Sequence, residues 1–493
     1  MLAATVLGSG MTALDATVVG IALPAIGRDF HTSVASMQWV VDGYTLPLAG
    51  LLLLGGALGD AYGRRKVFLI GTVWFALASL ACGLAPGVGF LIVARAVQGA
   101  GAALLVPGSL AIIQASFAAE DRAKAIGAWS GLGGVATAIG PFLGGWLIGA
   151  LSWRLIFFIN LPVAAAVVLI GARHVPESRA PGPRKPLDIP GALSISVALA
   201  GLTYGLIAGP GHGWTSPVVL ASLLAGAALL AAFCVIEARS RDPMLPLTVF
   251  RSRQFSAANA VTFVDYGALA GALFLVPVVL QEVGGYSALE AGVAMLPLTA
   301  IMLALSARSA ALSARIGPRL QMTVGPLVIA VGMVLFTRVH GSADYLTEVL
   351  PAVVVLGFGL AINVAPLTST ALSAAPAEHS GIASAVNNDV ARTGSLIAVA
   401  VLPALAGITG DVYLHPAALT HGFHHAVLIG AAAAAVGGIL AALTVRNPPR
   451  PASGTASADP HTVEGLHCAL DAPPLRSGDQ EAELDPGTPL KSP

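Results

Sequence analysis

Charged side chains are scarce in this chain of 493 residues. Asp, Glu, Lys and Arg make up 10% of it and hydrophobic residues 56%, whereas soluble domains carry about 25% charged residues. So few charges cannot cover the surface of a water-soluble protein of this length, and most of the chain must therefore lie in lipid. The formal net charge is zero, so the charge balance gives no indication of nucleic-acid binding.

Residues typical of enzymes and metal sites are also rare. Three cysteines, far apart in the chain, exclude a disulfide framework and a metal-ligand spacing. A nucleotide-binding phosphate loop needs Gly directly before Lys, and none of the four lysines follows a glycine. His421, His424 and His425 cluster at the start of the last apolar segment, where an interfacial position explains them better than a metal. We therefore expect no enzyme, no cofactor and no metal, and a pump with this sequence would draw its energy from an ion gradient.

Long apolar segments dominate the chain. A helix needs about 20 apolar residues to cross a bilayer, and fourteen segments between charged or Pro/Gly-rich breaks have roughly this length. The sequence therefore predicts an all-α integral membrane protein. The first segment lacks a basic region and a cleavage site before Asp15, so we predict a membrane helix there and not a removable signal. The predicted spans are 2–26, 38–58, 67–85, 88–116, 124–149, 155–171, 189–208, 218–236, 256–280, 289–311, 320–337, 347–373, 381–407 and 421–444.

Lysine and arginine are distributed unevenly between alternate loops. With the N-terminus inside, the cytoplasmic loops hold sixteen of them, and the opposite loops hold only Arg28, Arg154 and Arg338. This asymmetry fixes the orientation of membrane helices and supports an even number of spans. We predict a multi-pass protein of the cell (plasma or inner) membrane with both termini in the cytoplasm. The residues counted inside are Arg64, Arg65, Lys66, Arg122, Lys124, Arg173, Arg179, Arg184, Lys185, Arg239, Arg241, Arg251, Arg253, Arg308, Arg315 and Arg319.

Arg95 lies in the middle of the predicted fourth helix. An intramembrane arginine costs roughly 2.5 kcal/mol or much more, so we expect it to face a cavity or a partner, and Asp15 in the first helix has the opposite sign. Carboxylates within membrane helices are characteristic of proton pathways. The alternatives are structural pairing and a position nearer the membrane interface. The candidates for proton coupling or substrate binding are Asp15, Arg95, Asp265, Asp42 and Asp389.

Two glycine-containing motifs indicate moving or closely packed helices. The first follows helix 2 and ends in a basic triplet, Arg64 to Lys66. Its alternative is a simple cytoplasmic anchor. The second lies in helix 5, where proline kinks a membrane helix and glycines allow close packing; its alternative is a static packing face. The gating-loop candidates are Gly56, Gly59, Asp60, Gly63, Arg64 and Arg65. The helix 5 candidates are Gly131, Gly140, Pro141, Gly144 and Gly145.

These motifs together resemble the major facilitator superfamily, specifically its fourteen-helix drug:proton antiporter branch. The segments 55–66, 91–101 and 131–145 match the signature loop, the helix 4 arginine motif and the helix 5 antiporter motif of that family. The segments 14–24, 152–162, 280–292 and 381–385 continue the likeness, which covers about residues 10–445. The chain departs from the family at Ala61-Tyr62, where a basic residue is usual, and at Asp42-Gly43, where small or hydroxylated residues are common.

The resemblance implies the major facilitator fold and a function. Substrate would bind between two six-helix bundles near the midplane and leave by alternating access. Arg95 would help in proton transfer, Asp60 in gating, and Asp15 and Asp265 would bind protons or cationic substrate. The implied division is an N-terminal bundle at 1–171, a cytoplasmic linker at 172–188, two inserted helices at 189–236, a C-terminal bundle at 237–445 and a disordered cytoplasmic tail at 446–493.

The predicted function is proton-coupled efflux of hydrophobic, often cationic drugs or toxic compounds. The expected partners are small drug-like molecules, protons and the lipid bilayer, with no nucleic acid, and the protein is expected to be a monomer. Three alternatives remain: a dedicated exporter of one endogenous metabolite or antibiotic, an uptake symporter, and a membrane receptor or scaffold without transport. The helix 5 motif argues against the symporter, and a scaffold gives no reason for buried Asp15 and Arg95.

Overall fold

The computed structural model of the protein describes residues 1–117, 119–179, 186–240, 243–341, 343–374 and 380–447. The described residues form helices and no strands. We number the long helices α1 to α14, two of them in two pieces. They are α1 Leu2–Phe30, α2 Val34–Tyr62, α3 Arg64–Gly83, α4 Val88–Ser116, α5 Ala119–Ala150, α6 Leu155–Phe158 with Asn160–His174, α7 Ile189–His212, α8 Pro217–Arg239, α9 Arg253–Glu282, α10 Ala288–Ala294 with Leu296–Ile316, α11 Pro318–Leu335, α12 Leu350–Ser373, α13 Ser380–Leu405 and α14 Pro416–Thr444.

The predicted spans and the observed helices correspond one to one. Among the described residues, thirteen helices are long and apolar enough to cross a membrane. The remaining helix, α13, has a polar first half, but it packs against the membrane helix α9. Most observed helices are longer than the apolar segments, because backbone hydrogen bonds continue into interfacial residues. The structure is therefore consistent with the fourteen-helix fold predicted from the sequence.

Two helices are interrupted at positions that the apolar pattern does not show. α6 breaks at Ile159 and α10 breaks at Met295. Pro162 and Pro297 follow these breaks by three and two residues. Proline has no backbone N–H to donate to the residue four positions earlier, and its ring crowds that carbonyl group. Each proline therefore lies in the first turn of a new helical segment, which begins at Asn160 or Leu296.

The helices pack in two groups. In the first half, α1 packs on α5 and α6, α2 on α4, and α3 on α4 and α6; in the second, α9 packs on α13 and α14, and α12 on α10 and α11. The halves meet where α1 contacts α9, α2 contacts α13 and α5 contacts α10. α7 and α8 pack on each other, and α7 also contacts α2 and α13. This is an arrangement of two six-helix bundles with an added helix pair.

The predicted domain limits are only partly within the described residues. The linker 172–188 contains residues 180–185, and the predicted disordered tail contains residues 448–493; both ranges lie outside the description. The linker and tail limits therefore stay predictions.

Glycines bring α2 and α4 into close contact. A β-carbon added at Gly55 would overlap the backbone carbonyl of Ala103, and one added at Gly99 would overlap that of Tyr44. Because these neighbours are backbone atoms, they cannot rotate away as a side chain would. The close approach places the buried side chains of α4 directly beside those of α2.

Candidate functional site

Asp15 and Arg95 form a buried ion pair inside the first bundle. Asp15 Oδ2 of α1 and Arg95 Nη1 of α4 are 2.5 Å apart, and each residue is 1% exposed. The Arg95 side chain also donates to Gln98 Oε1 at 2.7 Å and, through Nε, to the carbonyl of Val40 at 3.2 Å. The predicted pairing of these two residues is thus present, while their role in transport stays a prediction.

Uncharged polar side chains complete the bonding of the Asp15 carboxylate. Gln98 Nε2 and Asn160 Nδ2 donate to Oδ1 at 2.9 and 3.0 Å. Asn160 also donates to Ser79 Oγ at 2.9 Å, and Ser79 donates to the carbonyl of Phe157. The network therefore joins α1, α3, α4 and α6, so a change in the charge of Asp15 affects four helices directly.

An aromatic ring separates this network from a large cavity. The guanidinium carbon of Arg95 lies 4.2 Å from the centroid of the Tyr44 ring, and Tyr44 is itself among the residues that line the cavity. The cavity has a volume of about 890 Å³, which is in the range of small-molecule sites. Asp15 and Arg95 do not line it.

The cavity lies between the two bundles and reaches the end of the molecule that carries the α2–α3 connection. Its wall from the first bundle includes Ser9, Thr12 and Ala16 of α1 and Trp129 and Thr137 of α5. The second bundle contributes α13, through Ile382, Ser384, Ala385, Asn388 and Arg392. A mostly neutral wall with a few polar groups suits a hydrophobic compound with one or two polar substituents.

Contacts between the bundles close the opposite end. Arg28 of α1 pairs with Glu282 of α9 at 2.8 Å, and Gln281 donates to the carbonyl of Ile21 at 3.0 Å. The hydroxyl of Tyr413, before α14, donates to the carbonyl of Thr32 at 2.7 Å. Gln38 of α2 donates to the carbonyls of Val399 and Ala400 in α13. Among the described residues, these bonds join the two bundles at the end opposite the α2–α3 connection.

Two acidic residues hold the loop after α2. One is the candidate Asp60, and the other is Glu177, which the sequence analysis did not select. Asp60 pairs with Arg64 at 2.8 Å, and the gating role of this loop stays a prediction. Glu177 accepts hydrogen bonds from the backbone N–H groups of Arg65 and Lys66, at 3.1 and 3.2 Å. Gly63 has a φ of 120°, a region open to glycine. Its absent side chain leaves space for the Glu177 carboxylate at the start of α3.

The helix 5 motif lies against both halves of the molecule. A β-carbon at Gly140 would overlap the Thr17 side chain, and one at Gly144 would meet Val18, both in α1. A β-carbon at Gly145 would come within 2.5 Å of the backbone carbonyl of Ala288 in α10. Gly131, the first glycine of the motif, has open space around it. Gly140, Gly144 and Gly145 are therefore closely packed against other helices, whereas Gly131 is not.

The three other carboxylate candidates differ in their surroundings. Asp42 is fully buried, and neither of its oxygens has a hydrogen-bond partner among the described residues. Asp265 is 1% exposed and accepts one hydrogen bond, from Asn363 of α12 at 2.8 Å. Asp389 is half-buried, and one of its two oxygens is buried without a hydrogen-bond partner among the described residues. None of the three lines the cavity, and the roles proposed for them stay predictions.

A family model for the Major Facilitator Superfamily matches residues 5–400. The chain belongs to the major facilitator superfamily. Among curated relatives, the tetracenomycin C resistance and export protein of Streptomyces glaucescens is 37% identical over 84% of this chain and 77% of its own length. The multidrug resistance protein Stp of Mycobacterium tuberculosis shows the same identity and coverage. The methylenomycin A resistance protein of Bacillus subtilis is 35% identical over 83% of this chain and 87% of its own length.

Solved structures confirm the superfamily fold. A POT family transporter crystallised with a thioalcohol-conjugated peptide superposes with a TM-score of 0.67, covering 89% of this chain and 94% of its own, at 13% identity. A D-xylose–proton symporter gives a TM-score of 0.64 with 90% and 97% coverage, at 16% identity. The fourteen-helix drug-transporter resemblance of the sequence thus agrees with both the family and the architecture.

Several polar residues of this site were not selected from the sequence. Gln98 follows Arg95 by three residues, a spacing that places both on one helix face, so it was detectable. Asn160, Ser79 and Glu177 lie far from Asp15 or Arg65 in sequence, and only the folded chain shows these contacts. Arg392, which is not among the candidates from the sequence, lines the cavity.

Proposed function

We propose that this chain exports hydrophobic drug-like compounds, cationic ones among them, in exchange for protons by alternating access. The observation that carries the proposal is a cavity between two bundles that is accessible from one end and closed by inter-bundle bonds at the other. Relatives with 35–37% identity are named as antibiotic resistance or export proteins. If the open end of the cavity closed and the closed end opened, a compound in the cavity would be carried across the bilayer.

The charge distribution supports an inward-facing state. The cavity reaches the end that carries Arg64 and Arg65, and Arg28 and Arg154 lie at the closed end. Because basic residues collect on the cytoplasmic side, the open end corresponds to the cytoplasm. The substrate is therefore collected from inside the cell, and the proposed location is the plasma or inner membrane, with the protein acting as a monomer.

The Asp15–Arg95 pair is the proposed site of coupling. A proton on Asp15 would remove the negative charge that holds Arg95, and the guanidinium would then rely on Gln98, the Val40 carbonyl and the Tyr44 ring. Because the network joins α1, α3, α4 and α6, and the Val40 carbonyl adds α2, this change alters the packing of these helices together. One charge moving through about 150 mV supplies roughly 3.4 kcal/mol, enough for a substrate gradient of a few hundredfold.

The test uses inside-out vesicles energised by respiration and a fluorescent pH probe. We expect drug addition to release protons from the acidified interior of vesicles with wild-type protein, and Asp15→Asn to remove this response at equal protein levels. Full drug-driven proton exchange by the Asp15→Asn protein would overturn the coupling role. No response to any compound by folded wild-type protein would overturn multidrug export, whereas a response to one compound alone would indicate a dedicated exporter. Proton movement of the opposite sign would indicate uptake.

A further inference from the structure

One face of α13 presents a row of polar side chains to the cavity. Ser384, Asn388 and Arg392 are spaced by four residues, so they lie on one side of the helix, and all three line the cavity. Tyr44 and Trp129 line it from the first bundle. A compound in the cavity therefore lies between two aromatic residues and a polar row that ends in an arginine.

Arg392 lacks the protein partners that Arg95 has. Arg95 pairs with Asp15 and donates to two further oxygens. Among the described residues, none accepts a hydrogen bond from Arg392 or forms an ion pair with it, and its Nε is buried without a partner. A buried charged donor without an acceptor is costly. Arg392 is therefore a cation within the membrane-spanning part of the molecule whose partner is absent from the described chain.

The other charged residues of the cavity wall have partners. Asp60 and Arg64, near the open end, pair with each other. Asp188 caps the start of α7 with one oxygen, which accepts from the N–H of Gly191 at 2.8 Å, while its second oxygen is buried without a partner among the described residues. Asp389, one turn before Arg392, is the acid that acts on it electrostatically, but it neither pairs with Arg392 within 4 Å nor lines the cavity. The part of the wall formed by α1, α5 and α13 thus presents a positive charge and, among described residues, no carboxylate.

We propose that Arg392 is a substrate-binding residue and that it selects compounds carrying an ionised acidic oxygen, such as a carboxylate or the enolate of a hydroxyquinone. The inference rests on the proposed export function and adds a class of substrate to it. A guanidinium binds such oxygens through two parallel N–H donors, and Asn388 lies one turn away to add a polar contact. The flat ring system of the compound would pack against Tyr44 and Trp129.

The test measures binding to purified full-length protein in lipid nanodiscs, with two probes that differ in charge. One is a naphthoquinone with a hydroxyl group on its quinone ring, a vinylogous acid that is ionised at neutral pH, and the other is its uncharged methyl ether. We expect Arg392→Ala to weaken binding of the ionised probe about tenfold or more, since bonds to charged groups are the stronger ones. Binding of the ether should change less than about twofold. Arg392→Lys should keep part of the preference because it keeps the charge.

Control variants separate charge selection from loss of fold. Arg308→Ala removes an exposed arginine of α10 that does not line the cavity and should leave both affinities unchanged. Unaltered ether binding shows that the Arg392→Ala site is intact. Equal loss of both probes, or an Arg392→Ala protein that still prefers the ionised probe, overturns the inference. Drug-driven proton release by the same wild-type preparation in vesicles reports on export separately, so export can stand while the role of Arg392 fails.

Discussion

Arg95 lies against the ring of Tyr44, with its guanidinium carbon 4.2 Å from the ring centroid. Arg95 belongs to the buried Asp15 network, and Tyr44 belongs to the cavity wall. A single ring therefore stands between the site proposed for protons and the site proposed for substrate. A compound that displaces Tyr44 and a proton that neutralises Asp15 both change the surroundings of Arg95, which gives the two events a shared physical element.

Replacing the Tyr44 ring should weaken the link between drug and proton. A desolvated cation–π contact contributes about 2 kcal/mol, and Tyr44→Leu removes it, whereas Tyr44→Phe keeps a ring. We expect drug-driven proton release in vesicles to fall at least tenfold in Tyr44→Leu and less than threefold in Tyr44→Phe, on the order of that energy. Equal activity in the two variants would show that the ring is not part of the coupling.

The same substitution should act differently on two buried carboxylates. Asp15→Asn breaks an ion pair and leaves Arg95 buried, which costs about 3 kcal/mol or more. Asp42→Asn replaces a buried carboxyl group that has no hydrogen-bond partner among the described residues with an uncharged group of the same size, so it should leave stability unchanged or raise it. Thermal unfolding of the purified proteins in one detergent measures both, with wild type as reference. A lower midpoint for Asp42→Asn would show that this carboxylate has a stabilising partner.

Two glycines of the helix 5 motif provide a matched pair. Gly145→Ala places a methyl group within 2.5 Å of the Ala288 carbonyl, whereas Gly131→Ala meets nothing within 4 Å. Because the neighbour of Gly145 is backbone, α5 and α10 must separate, and overpacking of this kind costs about 1–3 kcal/mol. We expect Gly145→Ala to reduce export and thermal stability and Gly131→Ala to leave stability near the wild-type value. Identical behaviour of the two would argue that the α5–α10 contact is unimportant.

Weakening the closed end should shift the molecule towards the outward-open state. Arg28→Gln with Tyr413→Phe removes the pair with Glu282 and the bond to the Thr32 carbonyl. The pair is partly exposed and contributes little, so the hydroxyl bond, worth about 1 kcal/mol, dominates. We expect the ratio of outward-open to inward-open molecules to rise about fivefold.

Spin-label distances across the closed end measure this shift. Arg154→Gln is the control, because it breaks a 2.8 Å pair with Asp29 at the same end but within the first bundle. It should leave the distance distribution unchanged. If Arg154→Gln and the double variant broaden the distances equally, the inter-bundle bonds do not set the conformation.

Local sequence determined the membrane architecture. Apolar length gave fourteen helices, and the spacing of glycine, aspartate and arginine at 55–66 and around Arg95 indicated the superfamily. The ends of helices were less predictable, because Pro162 and Pro297 interrupt α6 and α10 inside apolar stretches. Hydropathy does not distinguish a continuous helix from one that restarts just before a proline, since both are equally apolar.

Sequence alone thus established that the chain crosses a membrane many times and that Arg95 needs a partner of opposite charge, because lipid excludes unpaired charge. Tertiary structure decided which carboxylates are paired: Asp15 has three donors, Asp265 has one and Asp42 has none among the described residues. It also placed Arg392, and none of these acids, on the cavity wall. The physical reason is that the direction in which a membrane helix turns each side chain is set by packing against other helices, which are distant in sequence.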